Sequence, residues 1–170
     1  LSFDRINDYV SAGEGNGAFD FTSNYTLELW VKPMSNQESA FIEKGYFTGS
    51  GGYMIWYITD QVRFYILKAA RASTTIPVGN WTHIVAIWDG SYVYIYKNGV
   101  EADKQSFASA PADTSDALLI GMYGSFYFNG TIDEVAVYNR SLSAQEVLNH
   151  YQRGALRLNL TVRSCDDSLC

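Results

Sequence analysis

The stretch Asn129-Gly-Thr-Ile-Asp-Glu-Val-Ala-Val-Tyr-Asn-Arg-Ser-Leu-Ser-Ala-Gln-Glu146 constrains the fold more than any other part of this chain. Asn129-Gly130 carries the signature of a hairpin turn, because both residue types tolerate positive φ. Thr131 to Asn139 is rich in β-branched and aromatic residues and lacks a helical period, so it reads as a strand. Ser143 followed by Glu146 is a capping box, in which each side chain satisfies an orphan amide of a first helical turn. A late strand feeding one short helix, in a chain otherwise full of strands, leaves few architectures.

The rest of the sequence is strand-like runs broken at short intervals by turn signals. Thr26 to Lys32, Phe41 to Lys44, Tyr53 to Thr59, Val62 to Lys68, Trp81 to Trp88 and Tyr92 to Tyr96 are the clearest runs. Gly51-Gly52, Asp60, Gly79-Asn80, Asp89-Gly90 and Asn98-Gly99 punctuate them, and Asn98-Gly99 predicts a tight hairpin into Val100–Phe107. Only Ser143 to Arg153 carries a helical signal, so the helical crossovers that parallel strands need are missing. The expectation is all-β: a two-sheet antiparallel sandwich with one short C-terminal helix. Alternation sorts the faces. Tyr92, Tyr94 and Tyr96 share one side and Val93 and Ile95 the other, while Val62, Phe64 and Ile66 oppose Arg63, Tyr65 and Leu67. Ile84 to Trp88 is apolar on both faces, which suits a central strand covered on both sides.

Composition limits the functional classes. At 170 residues with 47% apolar content, one core can form without metal or disulfide staples. The net charge of −6, with 12 Lys plus Arg scattered singly, argues against nucleic acid as a partner. No apolar run approaches a membrane span, so direct insertion is not expected. No charged-then-apolar leader opens the sequence, and Leu1 reads as the start of a mature or excised piece. Thirteen Tyr and four Trp exceed what packing alone requires, and such side chains suit recognition surfaces as well as a half-covered sheet.

The end of the chain reads differently. Residues 1–153 form one β-domain, and 154–170 read as a linker plus the first strand and hairpin of a following β-module, or else as a terminal strand of the same sandwich. Leu156, Leu158, Leu160 and Val162 alternate with polar residues there. Cys165 and Cys170, four residues apart, suit a small hairpin disulfide and hence an oxidising compartment; the alternative is two free thiols. Five Asn-x-Ser/Thr sequons occur, of which Asn24 and Asn159 are the freest candidates for carrying sugar.

Five ordered blocks resemble a known family. Phe3-Asp4-Arg5-Ile6-Asn7-Asp8-Tyr9-Val10, Leu27-Glu28-Leu29-Trp30-Val31-Lys32-Pro33, Trp81-Thr82-His83-Ile84 with Asp89-Gly90, Tyr96-Lys97-Asn98-Gly99, and Gly130 through Glu146 are similar to laminin-G-like, concanavalin A-like lectin/glucanase jelly-roll domains. The resemblance covers about residues 1–153 and departs at Arg5, where the family usually has Gly. It implies a jelly roll in a multidomain extracellular or cell-surface protein, serving glycan binding, adhesion or assembly. Calcium is the cofactor such folds can take, with Asp4, Asp8 and Asp133 as candidate carboxylates because the family's folding brings those segments together. The alternative is that Asp4 and Asp133 accept backbone or arginine hydrogen bonds.

Catalysis is not expected. Glycan-cleaving relatives place carboxylates two residues apart along one strand, whereas Asp133 and Glu134 are adjacent and should leave opposite faces. His83 and His150 sit on different predicted elements, and His83 reads as a structural residue. The glycan-site candidates are aromatics with polar neighbours: Tyr46, Trp56, Tyr65, Tyr94, Tyr123 and Tyr127, with Asn129 and Asp89. Two functions compete. One is a non-catalytic extracellular carbohydrate-binding or adhesion module of a microbial surface or secreted protein. The other is a structural module that packs against copies of itself or neighbouring domains in a layer or filament, since homotypic interfaces favour the same residues.

Overall fold

A computed structural model describes residues 1–13, 17–46, 51–112 and 115–158. Cys165, Cys170 and Asn159 lie outside the described residues. Fourteen strands and one helix follow in chain order: β1 (Ser2–Asp4), β2 (Val10–Ser11), β3 (Tyr25–Pro33), β4 (Ser39–Lys44), β5 (Tyr53–Ile58), β6 (Gln61–Ile66), β7 (Ala69–Thr75), β8 (Thr82–Trp88), β9 (Tyr92–Lys97), β10 (Val100–Ser106), β11 (Leu119–Ile120), β12 (Met122–Tyr123), β13 (Phe126–Tyr127), β14 (Asn129–Tyr138) and α1 (Ala144–Leu158). Two six-stranded antiparallel sheets stack as a jelly-roll sandwich, one in the order β1-β14-β3-β8-β9-β10 and the other β2-β11-β4-β5-β6-β7. We call them the front sheet and the back sheet, respectively.

Alternation builds the core. Leu27, Leu29 and Val31 from β3, Ile84, Ala86 and Trp88 from β8, and Val93 and Ile95 from β9 meet Phe41, Tyr53, Ile55, Val62 and Phe64 of the back sheet. At one end, Phe21, Tyr25 and Tyr53 stack together with centroid separations of 4.8–5.8 Å. The outer side of β8 is also dry, because Val85 and Ile87 pack with Leu142 and Val147 where α1 crosses the front sheet. That explains a strand apolar on both faces. The capping box forms as expected: Ser143 N donates to Glu146 Oε2 at 2.8 Å, and Glu146 N donates to Ser143 Oγ at 3.3 Å. Asn98 and Gly99, at φ 51° and 81°, make the tight β9–β10 turn.

Three expectations are corrected, and one strand was not foreseen. Asn129-Gly130 is not a turn but the start of β14, paired with Asp4 and Phe3 of β1. Gly130 is needed there because a Cβ would run into the Lys32 carbonyl and the Phe128 ring. The helix does not stop at Arg153 but continues to Leu158, so Leu156 belongs to a helix and not to a strand. β7 was not foreseen, since Ala69-Ala-Arg-Ala-Ser-Thr-Thr75 lacks large strand formers, yet it pairs along β6. Asp133 and Glu134 do not simply leave opposite faces: a bulge between Asp133 and Ala136 breaks the alternation, with Glu134 at φ 48°. Both carboxylates are exposed and line one small cleft with Trp30, Gly154 and Arg157.

Candidate functional site: an aromatic face on the back sheet

The β5–β6 hairpin sets the centre of the site. Thr59 and Asp60, at φ 48° and 64°, form a two-residue turn that fixes the register and places Trp56 opposite Arg63 and Met54 opposite Tyr65. These side chains leave the outer side of the back sheet. There Tyr46 and Trp56 meet Tyr65 edge-on, at 5.3 Å and 5.5 Å between centroids. Tyr123 joins the same cluster from β12, whose hairpin with β13 lies along β4. Tyr65 is only 9% exposed and forms the floor, whereas Tyr46, Trp56 and Tyr123 are half-buried walls.

Polar groups surround these rings. The Arg63 guanidinium sits 5.2 Å from the Trp56 ring centre and donates through Nε and Nη2 to Gln61 Oε1. Tyr123 donates its hydroxyl to Glu38 Oε1 at 3.1 Å. Burial and the Glu38 carboxylate together push the Tyr123 phenol up to about 12, so it stays a hydrogen-bond donor at physiological pH. Glu38 also borders a cleft of about 500 Å³ lined by Asp4, Arg5, Phe126, Tyr127 and Asn129. Phe126 stacks on Tyr123 at 5.2 Å, which makes the cleft continuous with the aromatic face.

Four of the eight residues expected at a glycan site, Tyr46, Trp56, Tyr65 and Tyr123, therefore share one cluster, and Tyr127 and Asn129 border the cleft beside it, Asn129 from the start of β14. Tyr94 and Asp89 do neither. They lie on the front sheet, on the other side of the sandwich, because β9 belongs to that sheet. The Tyr94 hydroxyl donates to Asp89 Oδ2 at 2.8 Å, Lys104 covers the Tyr94 ring, and Asp89 Oδ1 accepts from Ser91 N and Tyr92 N. Burial would raise the Asp89 carboxyl, but these hydrogen bonds and Lys104 hold it below the usual carboxylate range. Glu38, Arg63 and Phe126 were not singled out from the sequence. The register implied by a short Thr59-Asp60 turn was the signal that could have placed Arg63 opposite Trp56.

The expected calcium ligands do not converge. Asp4 faces Asn129 across β1 and β14, four residues away from Asp133 along β14. Four strand residues span roughly 13 Å, too far for a shared ion. Asp4 Oδ1 accepts from Ile6 N and Asp8 Oδ2 from Asp4 N, so both carboxylates shape the loop after β1. Asp133 Oδ1 accepts from Glu134 N within the bulge. These residues do not fit a calcium ion, and among the described residues no group of three or more His, Cys, Asp or Glu is placed to hold a metal. Arg5, where the family usually has Gly, adopts φ 70°, the backbone conformation that favours Gly. Asn24 is exposed, and its sequon Thr26 is buried with its hydroxyl donating to Arg140 O.

A second polar cluster lies on the front sheet under α1. Glu28 accepts from His83 Nε2 at 2.8 Å and from His150 Nδ1 at 3.0 Å, so the two histidines meet on one carboxylate. Burial would raise the Glu28 carboxyl, but the hydrogen bonds from His83 and His150 outweigh it and hold it low. His83 is fully buried, with the Trp30 and Tyr151 rings tilted against it. Within this cluster no hydroxyl or thiol nucleophile is hydrogen-bonded to either imidazole, as nucleophilic catalysis would require.

The family model of the concanavalin A-like lectin/glucanases superfamily matches residues 4–148. The chain belongs to this superfamily. Solved structures of low identity share its fold. The botulinum neurotoxin serotype G binding domain superposes with a TM-score of 0.71 at 16% identity, covering 91% of this chain and 42% of that one. Botulinum neurotoxin type C, whose cell entry depends on interaction with two ganglioside molecules, gives 0.62 at 12% identity, with 85% and 39% coverage. The heptameric SAP-like pentraxin from Limulus polyphemus gives 0.64 at 14% identity, with 86% and 78% coverage. The chain thus spans about two fifths of the neurotoxin chains. No curated protein sequence matches it. At these identities what the structures share with this chain is the fold.

Proposed function

We propose that this superfamily member is a non-catalytic carbohydrate-binding or adhesion module that works outside the cell, with its ligand on the outer side of the back sheet. The observation that carries this is the convergence of Tyr46, Trp56 and Tyr123 over Tyr65, bordered by Arg63, Glu38 and the cleft at Tyr127 and Asn129. Sugar rings stack their C–H faces on such aromatics, while carboxylates, amides and guanidinium groups read the hydroxyls. The ganglioside requirement belongs to the neurotoxin and lends support only through the shared fold. Glycan-array binding followed by calorimetry tests the proposal. Trp56→Ala and Tyr123→Ala should each lower affinity about tenfold, the value of one good aromatic contact. Tyr94→Ala, on the opposite sheet, should leave it unchanged. Equal losses in all three would place the ligand elsewhere.

Self-association remains a second reading because Ile6, Tyr9 and Phe126 are 72%, 50% and 40% exposed beside the cleft. Sedimentation over a wide concentration range separates the two. A dimer that dissociates on Phe126→Ser would support assembly, and a monomer throughout would remove it.

A further inference from the structure

Arg63 is the cation packed into the aromatic face, and among the described residues no ion pair neutralises its charge. Among the described residues, the ion pairs engage Lys44, His83, Arg140, His150 and Arg157, never Arg63. Its partner Gln61 is neutral: one carbonyl oxygen takes both Nε and Nη2 and fixes the plane of the fork without supplying a counter-charge. The Trp56 ring packs against the same guanidinium, and the Nη1 edge has only a long contact of 3.5 Å with the Tyr65 hydroxyl. Arg63 is half-buried, so the group is stiffened and partly desolvated while one edge stays reachable. A planar donor edge of this kind matches a carboxylate or sulfate, and holding the fork in place beforehand lowers the cost of binding one. Glu38 of the rim is engaged by the Tyr123 hydroxyl.

We infer that the site selects glycans carrying a single acidic group, a carboxylate or a sulfate on one sugar, which docks on the Nη1 edge of Arg63 while a neighbouring ring stacks on Tyr46, Trp56 or Tyr123. This inference rests on the carbohydrate-binding reading and specifies its ligand class. A densely charged polysaccharide does not fit. The chain carries 18 acidic against 12 basic residues, and Asp4 and Glu38 outnumber Arg5 in the lining of the adjoining cleft, a balance that disfavours a polyanion more than a lone anion. Trp56 then serves twice, as a stacking surface and as the plate that orients Arg63.

The test prints neutral oligosaccharides beside their uronate-, sialyl- and sulfate-bearing counterparts, adds heparin as the polyanion, and follows with calorimetry at low and high salt. The folded chain should bind the singly acidic member about tenfold more tightly than its neutral counterpart. Arg63→Gln should bring that ratio to about one without abolishing neutral binding, and Arg63→Lys should retain part of it. A merely structural role for Arg63 would lower both affinities together and leave the ratio unmoved. Should Arg63→Gln fail to fold, the wild-type ratio and its decline with salt still decide the matter. Equal binding of neutral and acidic members overturns the acidic selectivity and leaves the carbohydrate reading standing. Tighter binding of heparin overturns the single-anion form. Silence across the whole array overturns both readings at once.

Discussion

Glu28 shows how one side chain can tie together segments that are remote in sequence. It stands on β3 and receives His83 from β8 and His150 from α1, and burial followed by the Glu28 carboxylate pushes the Tyr138 phenol of β14 up to about 12. The folded pKa of Glu28 is lowered, so the stabilisation is complete above the unfolded value of about 4.3 and is lost as pH falls through the folded value. Glu28→Gln should cost about 2 kcal/mol at pH 7, and its penalty should shrink as pH falls below about 4, read from thermal melts of both proteins across that range. A penalty independent of pH would mean that packing matters here and charge does not. The sequence could place His83 and His150 on separate elements but could not bring them to one carboxylate. That meeting depends on β3–β8 pairing and on the angle of α1, neither of which has a local signal. Arg63 was legible only as the alternate of Tyr65, because its significance depends on what stands opposite it.

At the scale of elements, local chemistry was read well where one segment decides its own state. The Ser143–Glu146 capping box and the Asn98-Gly99 turn are of this kind, as are the alternating faces of β6 and β9. It misled where a residue's reason is tertiary. The helical signal stopped at Arg153, but α1 runs on through Gly154, and a Cβ there would strike the Trp30 indole. In an isolated helix Gly→Ala gains about 1 kcal/mol. Gly154→Ala should instead destabilise this protein by about 1–3 kcal/mol in a denaturant titration, because it pushes α1 off Trp30. A gain in stability would show that the helix can shift without loss. Gly130 taught the same lesson in β14, where a turn signal marks close approach. The Arg140–Glu146 pair belongs to the helix start as well. Hydrogen bonds from Arg140 and Ser143 hold the Glu146 carboxyl at about 2, so the cap persists into acid.

For the whole molecule, the two sheets divide the work. The front sheet is covered by α1 and by self-satisfied polar groups such as the Tyr94–Asp89 pair, while the back sheet keeps its aromatic side open. The sandwich was legible because turn spacing and the absence of crossover helices admit few alternatives. The sidedness was not, since strand order decides which tyrosines share a surface. Chelation probes the junction of β1 and β14. A cation bound only by the folded chain must raise its stability, and Asp4, Asp8 and Asp133 are already committed to backbone amides at separate places. EDTA should therefore leave the melting temperature within a degree or so, and a drop of several degrees would reveal a site that these residues do not account for.

The crossing of α1 over the front sheet has a consequence during synthesis. Its apolar side rests on Val85, Ile87 and Tyr96, and Leu148 and Tyr151 close over Gly99, so its landing surface spans strands that must already be paired. These strands leave the ribosome well before residues 144–158 do. Until the helix arrives, the nascent sandwich presents a greasy strip on what later becomes its covered side, the kind of surface that chaperones hold and that drives early clumping. Among the described elements the helix is thus the last to be made and the lid on that hazard.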